Sequence, residues 1–519
     1  MKKLYALYGF LALLFCLQAQ SAFAQEILAH KAGQEPYELY FELGLTGRFE
    51  GQASTEESLA FLFEDELFTL SARGVMNNDG KYDAELASIP GGKFFGNYIL
   101  MQEGGATVRY KDLRFKAGRF RHYDELPTPY SLFINAQGNS ANIMELRYEN
   151  EAFLYQSRWI ELNYRSAFQS GEADPLLRSW HVDLDGGTDN GYSGFPDRGA
   201  NVKTYALKFG GMRIGYQDAA VYTGLPGSGR NFDFEYFLNP IPQYFIQYVK
   251  ATAGRPWTTG DDENNFLGLF WDWNADNGAY YYVQTLLDDF NIKFLFPDTF
   301  GFPYKAGWAL GGRWDTPYGR FGFHHAGSPM YSFEPITTSS TATQWQSAYG
   351  YTYYPETRYW LEESGEAKAI SIEDNMIGYV YGENTLAFMG EWSHTLFGMD
   401  WNANLEYRLA GSSSPANPWH DGRYHPEGTR LLDEDVIESR LLSTLGVVKA
   451  FGPLRISWGL KLGYVFNERS LRAPLSPEPG WSAVDRNVWL WEPVSGAHRM
   501  LFALSVGIAY RLEPLKGLR

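Results

Sequence analysis

The chain has 519 residues, of which 17% are aromatic and 20% charged, and its formal net charge is −17. So acidic a chain is a poor candidate for nucleic-acid binding, which leans on basic patches. Its lone cysteine, Cys16, excludes a disulfide within the chain and any multi-thiolate metal centre.

Residues 1–24 read as a secretory signal. Lys2 and Lys3 make a basic start, Leu4 to Leu17 an apolar run, and Ser21-Ala22-Phe23-Ala24 a small-residue cleavage pattern. Lipidation at Cys16 fits less well, because Phe15 precedes it. Removing the signal takes two lysines and no acid, so the mature chain is more negative still. Beyond it no apolar run reaches the length of a transmembrane helix, and the mean hydropathy is −0.34. An exported, aromatic-rich chain that is polar on average suits an outer-membrane β-barrel, where only alternate residues meet lipid. The competing class is a soluble periplasmic β-protein.

In chain order, "YELYFELGLTGRF" (37–49) alternates over one strand's length. "ATVRYKDLRFKAGRF" (106–120) turns at Lys111-Asp112, and 150–166 reads as one long strand. Residues 202–222 turn at Gly210-Gly211, and 263–290 turn at "ADNG". Further hairpins cover 307–327, 384–411 and 439–466, and "RMLFALSVGIAYRL" (499–512) is a final strand followed by "EPLKGLR". The turns are very short. They alternate with long polar or Pro/Gly-rich connections at 121–143, 168–201, 251–265, 327–372, 411–436 and 468–496. Short periplasmic turns and long extracellular loops are the habit of outer-membrane barrels. The expected fold is therefore all-β: one transmembrane antiparallel barrel over residues 25–519, with about 16–18 strands. The expected location is the outer membrane of a Gram-negative-type bacterium, with outer-membrane lipid as its surroundings.

The hairpin 263–290 is the candidate functional wall. Alternation puts Leu267, Leu269, Trp271 and Trp273 toward lipid and Phe266, Gly268, Phe270, Asp272 and Asn274 inward. After the turn, Tyr282, Gln284, Leu286 and Asp288 share the inward phase, while Asp289 lies near a strand end. Asp272, Gln284 and Asp288 then line a watery lumen, with Arg313 and Arg320 as candidate counter-ions. The bland alternative is that these charges pair with one another and only stiffen the wall. Long loops rich in Trp and Tyr, including Trp257, Trp345 and Trp360, offer rings on which sugar C–H faces can pack. Their structural alternative is loop packing or an interfacial belt.

Catalysis finds no support in the sequence. There is no G-x-S-x-G elbow, His324 and His325 on one strand would point to opposite faces, and His420, Asp421 and His425 match no metal signature. No enzymatic activity, cofactor or metal is expected.

Four segments, in order, resemble the capsule assembly Wzi family of outer-membrane barrels. They are "KAGRFRHYDELPTPYSLFINAQGNSANIMELRYENEAFLYQSRWIELN" (116–163), "YALKFGGMRIGYQDAAVYTG" (205–224), "FEYFLNPIPQYF" (234–245) and the "DENNFLGLFWDWN…YYYVQTLLDDF" hairpin (262–290). The resemblance spans roughly 115–410. Residues 121–130 lack a Trp-Gly-Pro-Gly type signature, and no helical bundle that would plug the periplasmic end is legible. The resemblance implies a surface lectin that tethers exported polysaccharide, without catalysis. The alternative function is a porin-like channel or transporter for small solutes, whose acidic lumen would favour cations.

Overall fold

The computed structural model describes residues 38–80, 91–94, 97–163, 197–224, 231–246, 263–289, 304–334, 336–337, 349–355, 357–360, 367–413, 419–420, 429–472 and 490–512. The signal segment, Trp257 and Trp345 lie outside them. Eighteen strands form the barrel wall. The first nine are β1 (Glu38–Glu50), β2 (Gln52–Glu64), β3 (Phe68–Asn77), β4 (Asn97–Tyr110), β5 (Leu113–Arg121), β6 (Ser140–Glu149), β7 (Phe153–Asn163), β8 (Asp197–Phe209) and β9 (Met212–Gly224). The rest are β10 (Glu263–Asn274), β11 (Tyr280–Asp289), β12 (Lys305–Thr316), β13 (Gly319–Ser328), β14 (Thr385–Leu396), β15 (Met399–Ala410), β16 (Glu438–Phe451), β17 (Leu454–Phe466) and β18 (His498–Leu512). Neighbours in sequence are neighbours in the sheet, and β1 closes on β18 from Phe41↔Leu512 to Phe49↔Leu504. Closure leaves the wall without a free edge, which a membrane interior requires.

The connections sort by length as the sequence implies. The short turns follow even-numbered strands, and the long connections follow odd-numbered ones, save the single-residue turn at Gly51. At the β14–β15 turn both central residues have positive φ, Phe397 at 55° and Gly398 at 64°. That conformation matches the twist of a two-residue hairpin. The short-turn rim is the periplasmic one by this rule. Strands β2 and β3 are not marked by the sequence pattern, since the outward row of β2 carries Thr55 and Glu57 among its apolar residues.

Alternation sets the two faces. On β18, Met500, Phe502, Leu504, Val506, Ile508, Tyr510 and Leu512 are exposed, whereas Leu501 and Ala503 are buried. Register carries the row sideways, through Trp458↔Val506 and Leu460↔Leu504 on one side and Leu43↔Tyr510 and Leu45↔Ile508 on the other. A continuous exposed apolar belt is unfavourable in water and favourable in lipid. No helix among the described residues is long and apolar enough to cross a membrane; the strands do so.

One sector breaks the belt. On β7–β10 the outward positions include Ser157, Asn201, Lys203, Asp218 and Glu263. Residues 231–246 fold over them, with a short helix α1 (Phe234–Leu238) capped by Asp233. Ser157 Oγ donates to the Phe237 carbonyl at 2.8 Å, and Asn201 Nδ2 to the Tyr236 carbonyl at 3.0 Å. Lys203 Nζ donates to the Asn239 and Ile241 carbonyls at 2.6 and 2.9 Å. Gln243 N donates to Asp218 at 2.6 Å, and the Tyr236 hydroxyl to Glu263 at 2.7 Å. The far side of this cover is apolar and exposed: Phe234, Leu238, Ile241, Tyr244 and Phe245. A polar stretch of wall thus wears an apolar shelf.

Replacing residues 231–246 by a Gly/Ser linker should lower stability in lipid vesicles by several kcal/mol, since one lysine on a lipid face costs roughly 2–4 kcal/mol at mid-membrane. Adding Lys203→Leu and Asp218→Leu should recover part of it. Urea titration followed by gel mobility reads both; no loss on replacement would show that the shelf is dispensable.

Candidate functional site

The lumen beside β5–β15 is filled by the chain itself. One filling segment is 122–139, between β5 and β6; the other is the described part of 329–384, between β13 and β14. Leu132, Phe133, Phe333, Tyr351 and Met376 are buried against inward Phe266, Phe270, Tyr282 and Leu286 of β10 and β11. The rings of Phe266 and Tyr351 lie 4.5 Å apart. The two segments also bind each other. The Tyr351 hydroxyl donates to the Phe133 carbonyl at 2.6 Å, Asn135 N donates to Ile377 at 2.7 Å, and Tyr353 OH meets His122 Nε2 at 2.8 Å. Burial of these rings is the main stabilising term for the plug.

Polar side chains from the wall fix its position. Gln284 accepts from Leu132 N at 2.9 Å and donates to Asp124 at 2.9 Å and to Gln217 at 2.7 Å. Asp124 also accepts from Gln217 at 2.7 Å and from Phe133 N at 3.1 Å. Burial raises the Asp124 carboxyl above its ordinary pKa, and the hydrogen bonds from Gln217 and Gln284 oppose that rise. Arg198 donates to the carbonyls of Gly350, Thr352 and Tyr353 at 3.0–3.2 Å. Tyr130 and Tyr381 both donate to Glu406, at 2.6 and 2.7 Å. In the short helix α2 (Ile372–Asn375), Glu373 accepts from Arg408 at 2.8 Å and lies 3.6 Å from Arg440.

The face assignments made from the 263–290 hairpin hold, but Asp272 and Gln284 do not line a watery lumen, because the plug covers that wall and buries them. Phe266, Phe270, Asp272, Tyr282, Gln284 and Leu286 are buried, and Leu269, Trp273, Tyr281 and Val283 are exposed. The counter-ions differ from those expected. Asp272 takes a two-pronged contact from Arg213, at 2.9 and 2.6 Å, and a 3.2 Å bond from Tyr280. Asp288 pairs with Lys305 at 3.3 Å. Arg313 instead pairs with Glu391 and donates to the Pro127 carbonyl, the latter at 2.6 Å, while Arg320 pairs with Asp315. Register explains this: Arg213 stands directly opposite Asp272 across β9 and β10. Asp272, opposite Tyr282, lies near the short turn, and Asp288 lies at the other end of the hairpin, so the two are not brought together. Asp289 is opposite Lys305 at the strand end. Trp360 ends a short strand, Arg358–Trp360, that pairs with Ala367–Ala369. His324 faces inward against Tyr282 at 3.0 Å, and His325 faces outward, stacked on Phe388.

A second constellation was not singled out from sequence. Inward residues of β4–β7 and the start of the plug form a half-open recess of about 250 Å³ lined by Arg109, Arg114, Lys116, Arg158, Glu145 and His122, among others. Its walls are mostly cationic, against the expectation of an acidic lumen. Burial first, then the charges of Arg158 and Lys116, hold the His122 imidazole well below its ordinary pKa, so it is neutral. The available signal was the alternation of Arg114, Lys116 and Glu145 on inward phases of adjacent strands. Among the described residues no His/Asp/Glu group is arranged to hold a metal ion.

A closed antiparallel 18-strand wall with an apolar outer belt defines an outer-membrane β-barrel. No sequence-family profile and no curated protein matches the chain. Among solved structures, it is similar to Wzi of Escherichia coli, described as an outer membrane protein involved in group 1 capsule assembly and a carbohydrate binding β-barrel. That match has 11% identity, covers 95% of this chain and 87% of the other, and has a TM-score of 0.51. OccAB4 of Acinetobacter baumannii matches with 10% identity, 92% and 99% coverage and a TM-score of 0.40. OprD of Pseudomonas aeruginosa matches with 8% identity, 92% and 96% coverage and a TM-score of 0.39.

Acid should loosen the plug. Burial alone would raise the Glu373 pKa; Arg408 and Arg440 overcome it and hold the carboxyl at about 2, against an ordinary 4.5. A depressed carboxylate contributes its stability above the ordinary value and loses it as pH falls toward the folded one. Protease sensitivity around α2, at residues 367–384, should therefore rise between pH 4.5 and about 2, and Glu373→Gln should be equally sensitive at neutral pH. Separately, Gln284→Ala strands several buried groups and should cost a few kcal/mol, on the order of 1–3 kcal/mol for each unmet partner. An unchanged urea midpoint in that variant would remove Gln284 from the plug's anchorage.

Proposed function

We propose that this barrel binds surface polysaccharide in its partly filled lumen and is not a wide diffusion pore. The observation that carries the proposal is the plug. Residues 122–139 and the described residues of 349–384 join into an aromatic core inside the wall and leave a cavity on the scale of one sugar ring. A binding barrel needs such a fixed, side-chain-lined recess, whereas a general pore needs a continuous wide bore. The description of the E. coli structure as carbohydrate binding supports this reading by fold alone, since identity is 11%.

A porin-like conduit is the second reading, favoured by one observation. Opposite the plug, the lumen side of β1, β2, β17 and β18 carries Gly44, Thr46, Ser58, Ser457, Gly459 and Ser505, all partly exposed. Small and hydroxyl side chains leave room for water or solute along that wall. In planar bilayers the purified protein should show little or no steady conductance, and on a glycan array it should retain polysaccharide fragments. A large stable conductance without glycan binding would sink the proposal in favour of the conduit.

A further inference from the structure

We infer that the cavity between β4–β7 and the plug is a binding site for one anionic group, a carboxylate or a phosphate, carried on a sugar. This rests on the carbohydrate-binding reading and narrows it to acidic sugars. Two of the cations share one internal partner: Glu145 is bound by Arg114 at 2.7 Å and by Arg158 at 2.6 Å. Arg109 pairs with Glu64 at 3.0 Å. Lys116 has no ion pair among the described residues; its ammonium sits 4.0 Å from the centre of the Phe120 ring. The walls therefore keep an excess of positive charge.

Two buried nitrogens near the recess are also without a partner among the described residues. His122 engages Tyr353 through Nε2, while its buried Nδ1 has no partner among the described residues. Arg114 Nε is likewise buried and without a partner. Lys116 thus offers an ammonium with no ion pair to the recess, beside arginines that share one carboxylate, and an anion supplies several acceptor atoms at once. Low-dielectric walls focus the field of the cations into the recess and strengthen each bond. About 250 Å³ is below the roughly 300–1,000 Å³ of pockets for drug-sized ligands. It suits one charged sugar residue or a small anion, with the rest of a chain running toward the open side of the lumen.

The full-length barrel in detergent should be titrated calorimetrically with tetragalacturonate, maltotetraose and inorganic phosphate. Tetragalacturonate should bind, maltotetraose should bind far more weakly, and added salt should weaken the acidic ligand. Lys116→Gln should reduce tetragalacturonate affinity by about tenfold or more, the scale of one charge-assisted hydrogen bond, and Lys116→Arg should retain most of it. Heat-modifiable gel mobility checks that both variants are folded. Equal binding of the two sugars, or tetragalacturonate binding untouched by Lys116→Gln, overturns the anion site and leaves the carbohydrate reading standing. Phosphate binding without sugar binding overturns the acidic-sugar ligand and assigns the recess to phosphate. No binding of any probe overturns both.

Discussion

Everything in this molecule depends on the two-residue period of the strand in a wall that separates lipid from lumen. Each strand must satisfy two solvents with alternate side chains, and a closed sheet allows no slippage between them. Charge therefore accumulates inside. There it can be hydrated, paired or buried under protein. The plug takes the third route beside β5–β15, and the second accompanies it. Arg213 with Asp272, Lys305 with Asp288 and Arg408 with Glu373 and Glu438 are ion pairs made where the plug excludes water. Pairs of this kind add little over a well-packed apolar filling, but breaking one leaves a buried charge unmet, so they favour one seating of the plug over its neighbours.

The electrostatics separate by location. The chain is strongly acidic as a whole, yet the recess beside β4–β7 is cationic because Glu145 answers two arginines at once. Net charge therefore says nothing about the sign of the field where a ligand would sit. A bulk acidic surface around a basic recess favours a ligand that presents its anionic group locally, over a free polyanion approaching from far away.

Fold and face were legible from sequence because both follow from periodicity within single strands. The 263–290 hairpin shows it: Phe270 and Asp272 go inward and Leu269 and Trp273 outward, as alternation requires. Partnerships were not legible, because they depend on register between strands joined by long connections. Arg213 reaches Asp272 only once β9 and β10 are aligned. The plug left a clue that composition alone does not decode. Leu132-Phe133-Ile134 is an apolar run inside a connection otherwise rich in polar residues and proline, and it is apolar because it turns into the barrel. The loop aromatics divide in the same way, with Tyr351 and Tyr353 belonging to the core.

The shelf over β7–β10 has a consequence for how the barrel is built. Lys203 and Asp218 point away from the lumen, and among the described residues, 231–246 shield them. That shield follows β9 in the chain and precedes β10. As a bare sheet, β7–β9 would present charges to hydrocarbon, so this sector cannot be released into the bilayer at low cost until the shield has docked. Assembly thus acquires an order: the covered side seats last, or seats as a preformed unit of sheet and shelf. A loop that elsewhere would be free to vary in length and sequence is here constrained by the lipid it replaces on the wall.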